Sequence, residues 1–179
     1  MLGANHRARP REARGRQGGR RSRREWKPSQ GFHNNNLRFW DSSAIVPLVV
    51  EQAASPQVDR WFSKDPEIAI WTLTPVELTS AFRRLVREGN LSELEAKKAE
   101  SRADELIERS HVIINVDTVK RHARRLLGIH PLKAADAMQL GAAIEWAAGR
   151  TSGRLMHTLD AQLARAAARE GFDVIPEPG

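Results

Sequence analysis

Asp41, Glu77, Asp136 and Asp160 are the residues whose type and placing could do chemistry. Each falls where the surrounding pattern predicts the first turn of a helix, and three follow closely on a short apolar stretch that reads as a strand. In a parallel sheet such junctions collect along one edge, where the strands' carboxyl ends open into a crevice. Carboxylates crowded there repel one another unless a hard cation neutralises them. The pattern points to a divalent-metal site, and the chemistry such a site supports is cleavage of a phosphodiester.

Each acid also has a plainer reading. Thr74-Pro75-Val76-Glu77 fits a capping box, with Thr at the cap, Pro opening the helix and Glu reaching back. Asp160 stands where a helix N-cap belongs. Asp136 falls in a first turn, where the helix dipole favours negative charge, but its neighbours Ala134, Ala135, Ala137 and Met138 are apolar. Asp41 is wedged between the apolar Phe39-Trp40 and Ala44-Ile45. Oxygen-only ligation, with no Cys and no metal-spaced pair among His6, His33, His111, His122, His130 and His157, favours Mg²⁺ or Mn²⁺ over zinc. Strand alternation turns His157 away from Met156 and Thr158, which argues against it as a general base. Ser42 and Ser43 lack the Gly-rich elbow of a hydrolase nucleophile, and no phosphate-binding glycine loop occurs.

The elements that must position these acids alternate. Strands are expected at Leu37–Trp40, Glu67–Trp71, Val112–Val116, Arg154–Thr158 and Phe172–Ile175. Between them, helices are expected with Ser42 or Ser43 as the cap of one that runs through Val49, and over Ser55–Lys64, Thr74 to near Gly89, Leu91–Ser110, Thr118–Leu127, Lys133–Ala148 and Ala161–Glu170. Strands that alternate with helices argue for an α/β fold with a central, mostly parallel sheet covered on both faces. Val49, Val58, Trp61 and Phe62 share an apolar face, read first as core and second as a seat for a partner helix.

Composition bounds the rest. A chain of 179 residues suits one domain with a real core. The absence of cysteine rules out disulfides, zinc thiolates and a thiol nucleophile, and fits the cytoplasm. No apolar run reaches membrane-span length, and the N-terminus lacks a secretory apolar core. Ten Arg or Lys against Glu12 and Glu25 give residues 1–36 a net charge of +8, which leaves −1 on the remainder of a chain whose total is +7. The Arg/Gly-rich stretch 1–36 has no periodicity and is expected to be disordered. It reads as an RNA-binding arm, as a solvated tail, or as sequence upstream of a natural start near Leu37.

Four stretches resemble the PIN-domain ribonucleases, specifically the VapC toxins of bacterial toxin–antitoxin pairs. Trp40-Asp41-Ser42-Ser43-Ala44-Ile45 resembles the family's opening D-S/T-S-A motif, and Thr74-Pro75-Val76-Glu77-Leu78 its Glu-bearing second motif. Leu132-Lys133-Ala134-Ala135-Asp136-Ala137 resembles the L-x-x-x-D-A motif, and Thr158-Leu159-Asp160 the closing T-x-D. The family often has His three residues after the third acid, where this chain has Gln139. The resemblance spans about Leu37 to Ile175 and maps the acidic cluster onto Asp41, Glu77, Asp136 and Asp160, with Ser42 and Thr158 as polar support. It implies a PIN domain over residues 37–179, folded as a three-layer α/β/α sandwich. It further implies Mg²⁺-dependent endoribonuclease activity, a homodimer and a VapB-like antitoxin partner that blocks the crevice.

Arg83, Arg84, Arg87 and Lys133 flank the motifs and are candidates for drawing RNA to the crevice. One alternative is a non-catalytic protein that grips nucleic acid through its basic arm. Deleting residues 1–36 would then abolish a steeply salt-dependent binding. Another is a phosphatase acting on small phosphate esters.

Overall fold

Ile68, Ala69, Ile70 and Trp71 are all buried, which only a strand covered on both faces allows. A computed structural model describes residues 37–178, so the expectation of a disordered arm lies outside the described residues. Five short strands form one sheet: β1 (Arg38–Trp40), β2 (Ile68–Trp71), β3 (His111–Ile113), β4 (Leu155–His157) and β5 (Asp173–Ile175). Their order is β3-β2-β1-β4-β5, and all four pairings are parallel. The helices are α1 (Ser42–Val49), α2 (Ser55–Lys64), α3 (Thr74–Arg87), α4 (Glu93–Arg109), α5 (Val116–Leu127), α6 (Ala134–Trp146) and α7 (Ala161–Arg169).

The period-two alternation of the strands sorts the core into two halves. Trp40, Ile68 and Ile70 face α1 to α4, where Val58, Leu78, Phe82 and Ala99 pack. Phe39, Ala69, Trp71 and Met156 face α5 to α7, where Val119, Leu140 and Leu163 pack. The expected three-layer α/β/α sandwich is what forms. Small residues let the second layer close tightly: a Cβ on Gly141 of α6 would lie 2.9 Å from the Val119 carbonyl oxygen of α5. Val49 and Val58 are buried, while Trp61 and Phe62 are half-buried against the same core. No helix among the described residues is long and apolar enough to cross a membrane.

Element ends moved where local hydrogen bonds outcompete propensity. The β-branched run at 112–116 promised a longer strand, but β3 stops at Ile113. Asn115 accepts from the Thr118 N–H and starts α5 at Val116. Ser92 and Glu95 form a reciprocal capping box that starts α4 at Glu93. The cap of α1 is Asp41, not Ser42 or Ser43.

β1 lies at the centre. From it the chain leaves through α1 and α2 to β2 on one side, whereas β4 leads through α7 to β5 on the other. Connections diverging from adjacent strands open a crevice at the carboxyl ends of β1 and β4. Asp41 and Asp160 follow those two ends.

Candidate functional site

Asp41 is buried at the seam, its N–H bonded to the His157 carbonyl of β4 at 2.9 Å. Its Oδ2 accepts from the Ser43 N–H (3.2 Å), the Ser43 hydroxyl (2.5 Å) and the Thr158 hydroxyl (3.0 Å). Oδ1 receives only a long 3.4 Å contact from the Ser42 hydroxyl among the described residues. One oxygen is thus fixed by the protein, and the other keeps capacity for a ligand. Ser43 also accepts from the Leu159 N–H at 2.9 Å and so ties the two diverging strand ends together. The family resemblance assigns polar support to Ser42 and Thr158. Ser43, adjoining them in the same D-S-S triplet, is the stronger clasp.

Asp160 caps α7 by accepting from the Leu163 N–H at 2.8 Å, as its position suggested. The capping box at Glu77 does not form. Leu73 is the N-cap of α3, Thr74 lies inside the helix, and no side-chain cap bond is made. The Glu77 carboxylate instead accepts from the buried Gln139 amide of α6, across the top of the sheet. Asp136 stands in the first turn of α6 just after Lys133, the N-cap residue.

Electrostatics link the four acids in series. Burial raises the Asp41 carboxyl above its ordinary range, hydrogen bonds from Ser43 and Thr158 oppose that rise, and the charge of Asp136 adds to it. Burial also raises Glu77; Gln139 and Ser42 oppose the rise, while Asp41 and Asp136 add to it. Asp136 is raised by burial and then by Asp160, with Lys133 pulling the other way. The acids form a chain of mutual repulsion from Glu77 and Asp41 through Asp136 to Asp160. Among the described residues no three His, Cys, Asp or Glu side chains are drawn close enough to enclose an ion. The donor chemistry, carboxylates and hydroxyls with no sulfur or imidazole, fits a hard dication.

Comparison with known proteins shows the family of the chain. The family model for the PIN domain covers residues 38–175. The chain belongs to the PIN domain family. PIN domains are generally nucleases, and this one resembles solved members in fold. PAE2754 from Pyrobaculum aerophilum superposes with a TM-score of 0.53 at 21% identity, over 78% of this chain and 84% of that one. VapC20 of Mycobacterium tuberculosis, described as a toxin that cleaves the sarcin–ricin loop, superposes with a TM-score of 0.51 at 17% identity, over 73% and 94%. No curated protein matches the chain in sequence.

The basic residues flanking the PIN motifs differ in availability. Arg83 bonds Glu93 and Glu100 of α4 at 2.6 and 2.7 Å, which joins α3 to α4. Arg84 is exposed, 4.0 Å from Glu88, and Arg87 is exposed in the last turn of α3. His157 is no base for this site. It is buried between Trp40 and Trp61, with ring centroids at 4.2 and 5.4 Å. Burial, and then the charge of Arg38, push its pKa down to about 4. Its neighbour Met156 faces the opposite core, as strand alternation requires.

Proposed function

We propose that this PIN domain is a Mg²⁺-dependent endoribonuclease (Mn²⁺ serving equally), the cytoplasmic toxin of a VapBC-type pair. What supports the reading is that the carboxyls of Glu77, Asp41 and Asp136, at the starts of α3, α1 and α6, are each raised in part by the charge of another of the four acids, with Asp160 at the cap of α7 acting on Asp136. Asp41 and Asp136 are the direct ligands, and Glu77 and Asp160 complete the ring through the ion or its waters. When bound, the ion lowers the pKa of a water and offsets charge on the phosphoryl oxygens. Ser43 and Thr158 hold Asp41 by Oδ2, which leaves Oδ1 for the ion, and Ser42 bears on both Asp41 and Glu77. Lys133, Arg84 and Arg87 form the basic rim that receives the RNA backbone, and Arg83 supports that rim through α4.

Two partners go with this reading. Leu73 and Val76 beside the site, and Ile114 and Val116 after β3, are exposed apolar side chains. The Thr72 N–H bonds the Ile113 carbonyl at 3.1 Å at the ends of the neighbouring strands that these residues follow, and they offer a surface for a second copy of the chain. The half-buried Trp61 and Phe62 offer apolar contact for a VapB-like antitoxin segment.

The deciding experiment is incubation of total RNA with purified protein in Mg²⁺ and in EDTA, followed by mapping of the cut ends. Asp41→Asn abolishes Mg²⁺-dependent cleavage while the fold stays intact, because Asn caps a helix as well as Asp does. Undiminished cleavage by that variant would overturn the mechanism.

A further inference from the structure

Gln139 lies on α6, one helical turn beyond Asp136, and is buried. Its amide nitrogen donates to Glu77 and stands 3.5 Å from Thr74 Oγ1, both on α3. α3 and α6 belong to opposite layers of the sandwich, so this amide bridges the crevice. Its Oε1, by contrast, has no partner among the described residues. A side chain that served only to join the two helices would do better as an apolar one of equal length, which strands no acceptor. The amide's direction follows from its partner: an ionised carboxylate only accepts, so the NH₂ end must face it.

Glu77 is also the acid that most needs such a holder. Asp41 and Asp160 are each anchored by a backbone N–H of the helix they cap. Asp136 is steadied by a backbone hydrogen bond at Lys133. Glu77 makes no cap bond, and its longer side chain has more torsional freedom to lose.

We propose that Gln139 is a positioning residue of the acidic centre: its amide holds the Glu77 carboxylate toward Asp41 and Asp136 and thereby sets the affinity for the divalent ion. The inference rests on the reading of this crevice as a divalent-metal nuclease centre. It gives a specific role to a residue that, in the sequence, is only a departure from the family's histidine.

The test measures Mn²⁺ binding by titration calorimetry alongside Mg²⁺-dependent RNA cleavage, in wild type, Gln139→Leu and Gln139→His. Gln139→Leu removes the donor and the stranded acceptor together. It is expected to weaken Mn²⁺ binding by about 10- to 100-fold, the usual effect of losing a ligand's hydrogen-bonding partner. The Mg²⁺ concentration for half-maximal cleavage rises by a similar factor, cleavage at saturating Mg²⁺ recovers most of its rate, and the melting temperature does not fall. Gln139→His restores a donor at similar reach and recovers much of the lost affinity. Mn²⁺ binding by Gln139→Leu equal to that of an active wild type overturns the inference and leaves the nuclease reading standing. A wild type that neither binds Mn²⁺ nor cleaves RNA overturns both. Should Gln139→Leu unfold, Gln139→Met, unbranched and equally long, replaces it. If both unfold, the residue serves packing and the inference is wrong.

Discussion

Stacking of His157 between Trp40 and Trp61 gives this protein a defined loss of stability in acid. Both ring nitrogens are buried without a hydrogen-bond partner among the described residues, so protonation would place a bare charge in the core. The folded pKa of about 4 lies below the ordinary value of 6.5. Between those values the unfolded chain binds the extra proton, so stability is complete above the unfolded pKa and is lost as pH falls toward the folded one. The separation corresponds to about 3 kcal/mol in full, of which about 2 kcal/mol is lost between roughly pH 7.5 and pH 5. Asp41, Glu77 and Asp136 act in the opposite sense, because raised carboxyl pKa values favour the folded state as pH falls. The total slope therefore mixes signs, and His157→Leu isolates the histidine: the carboxylate contributions are common to both proteins and cancel in the difference. Urea unfolding followed by tryptophan fluorescence at the two pH values supplies the measurement. Wild type should lose about 2 kcal/mol more than His157→Leu over that interval. Parallel pH profiles for the two proteins would refute the reasoning.

Other outcomes follow from the same geometry. Asp160→Asn keeps the cap of α7, since Asn accepts from the Leu163 N–H as Asp does. Its stability should match wild type while Mg²⁺-dependent cleavage falls, and a thermal melt beside a cleavage assay separates the two effects. Asp160→Ala should lose the cap as well, at about 1 kcal/mol. Gly141→Val sets a branched side chain where even a Cβ would stand 2.9 Å from the Val119 carbonyl, so α6 must retreat from α5. Denaturant unfolding should show a loss of about 1–3 kcal/mol, and an unchanged midpoint would contradict the close approach.

Much of the fold was legible because the apolar pattern is local. Ser55–Lys64 forms a helix over the span its i, i+3, i+4 stripe predicts. Each of the five predicted strands appears: four lose a single residue at one or both ends, and the third starts one residue early, at His111, and stops three early, at Ile113. Ends were harder to read because they depend on which side chain wins a backbone N–H, as when Asn115 cut the β-branched run short. The candidate site was legible as four acids at helix starts. Whether Glu77 capped its own helix or served the crevice was not, since both readings use the same Thr-Pro-Val-Glu sequence.

What the sequence by itself determined is the set of elements and the donor chemistry: alternating strands and helices, oxygen ligands in place of sulfur, and a net positive charge that residues 1–36 alone supply. Only the tertiary structure decided the partners. Gln139 stands 62 residues from Glu77, and Thr158 stands 117 from Asp41. His157 was a lone histidine until β1 and α2 placed a tryptophan on either side of it. The physical reason is that local pattern reports how a segment buries its own surface. Hydrogen bonds and pKa shifts depend on what the folded chain brings alongside, and no stretch of sequence carries its neighbour's address.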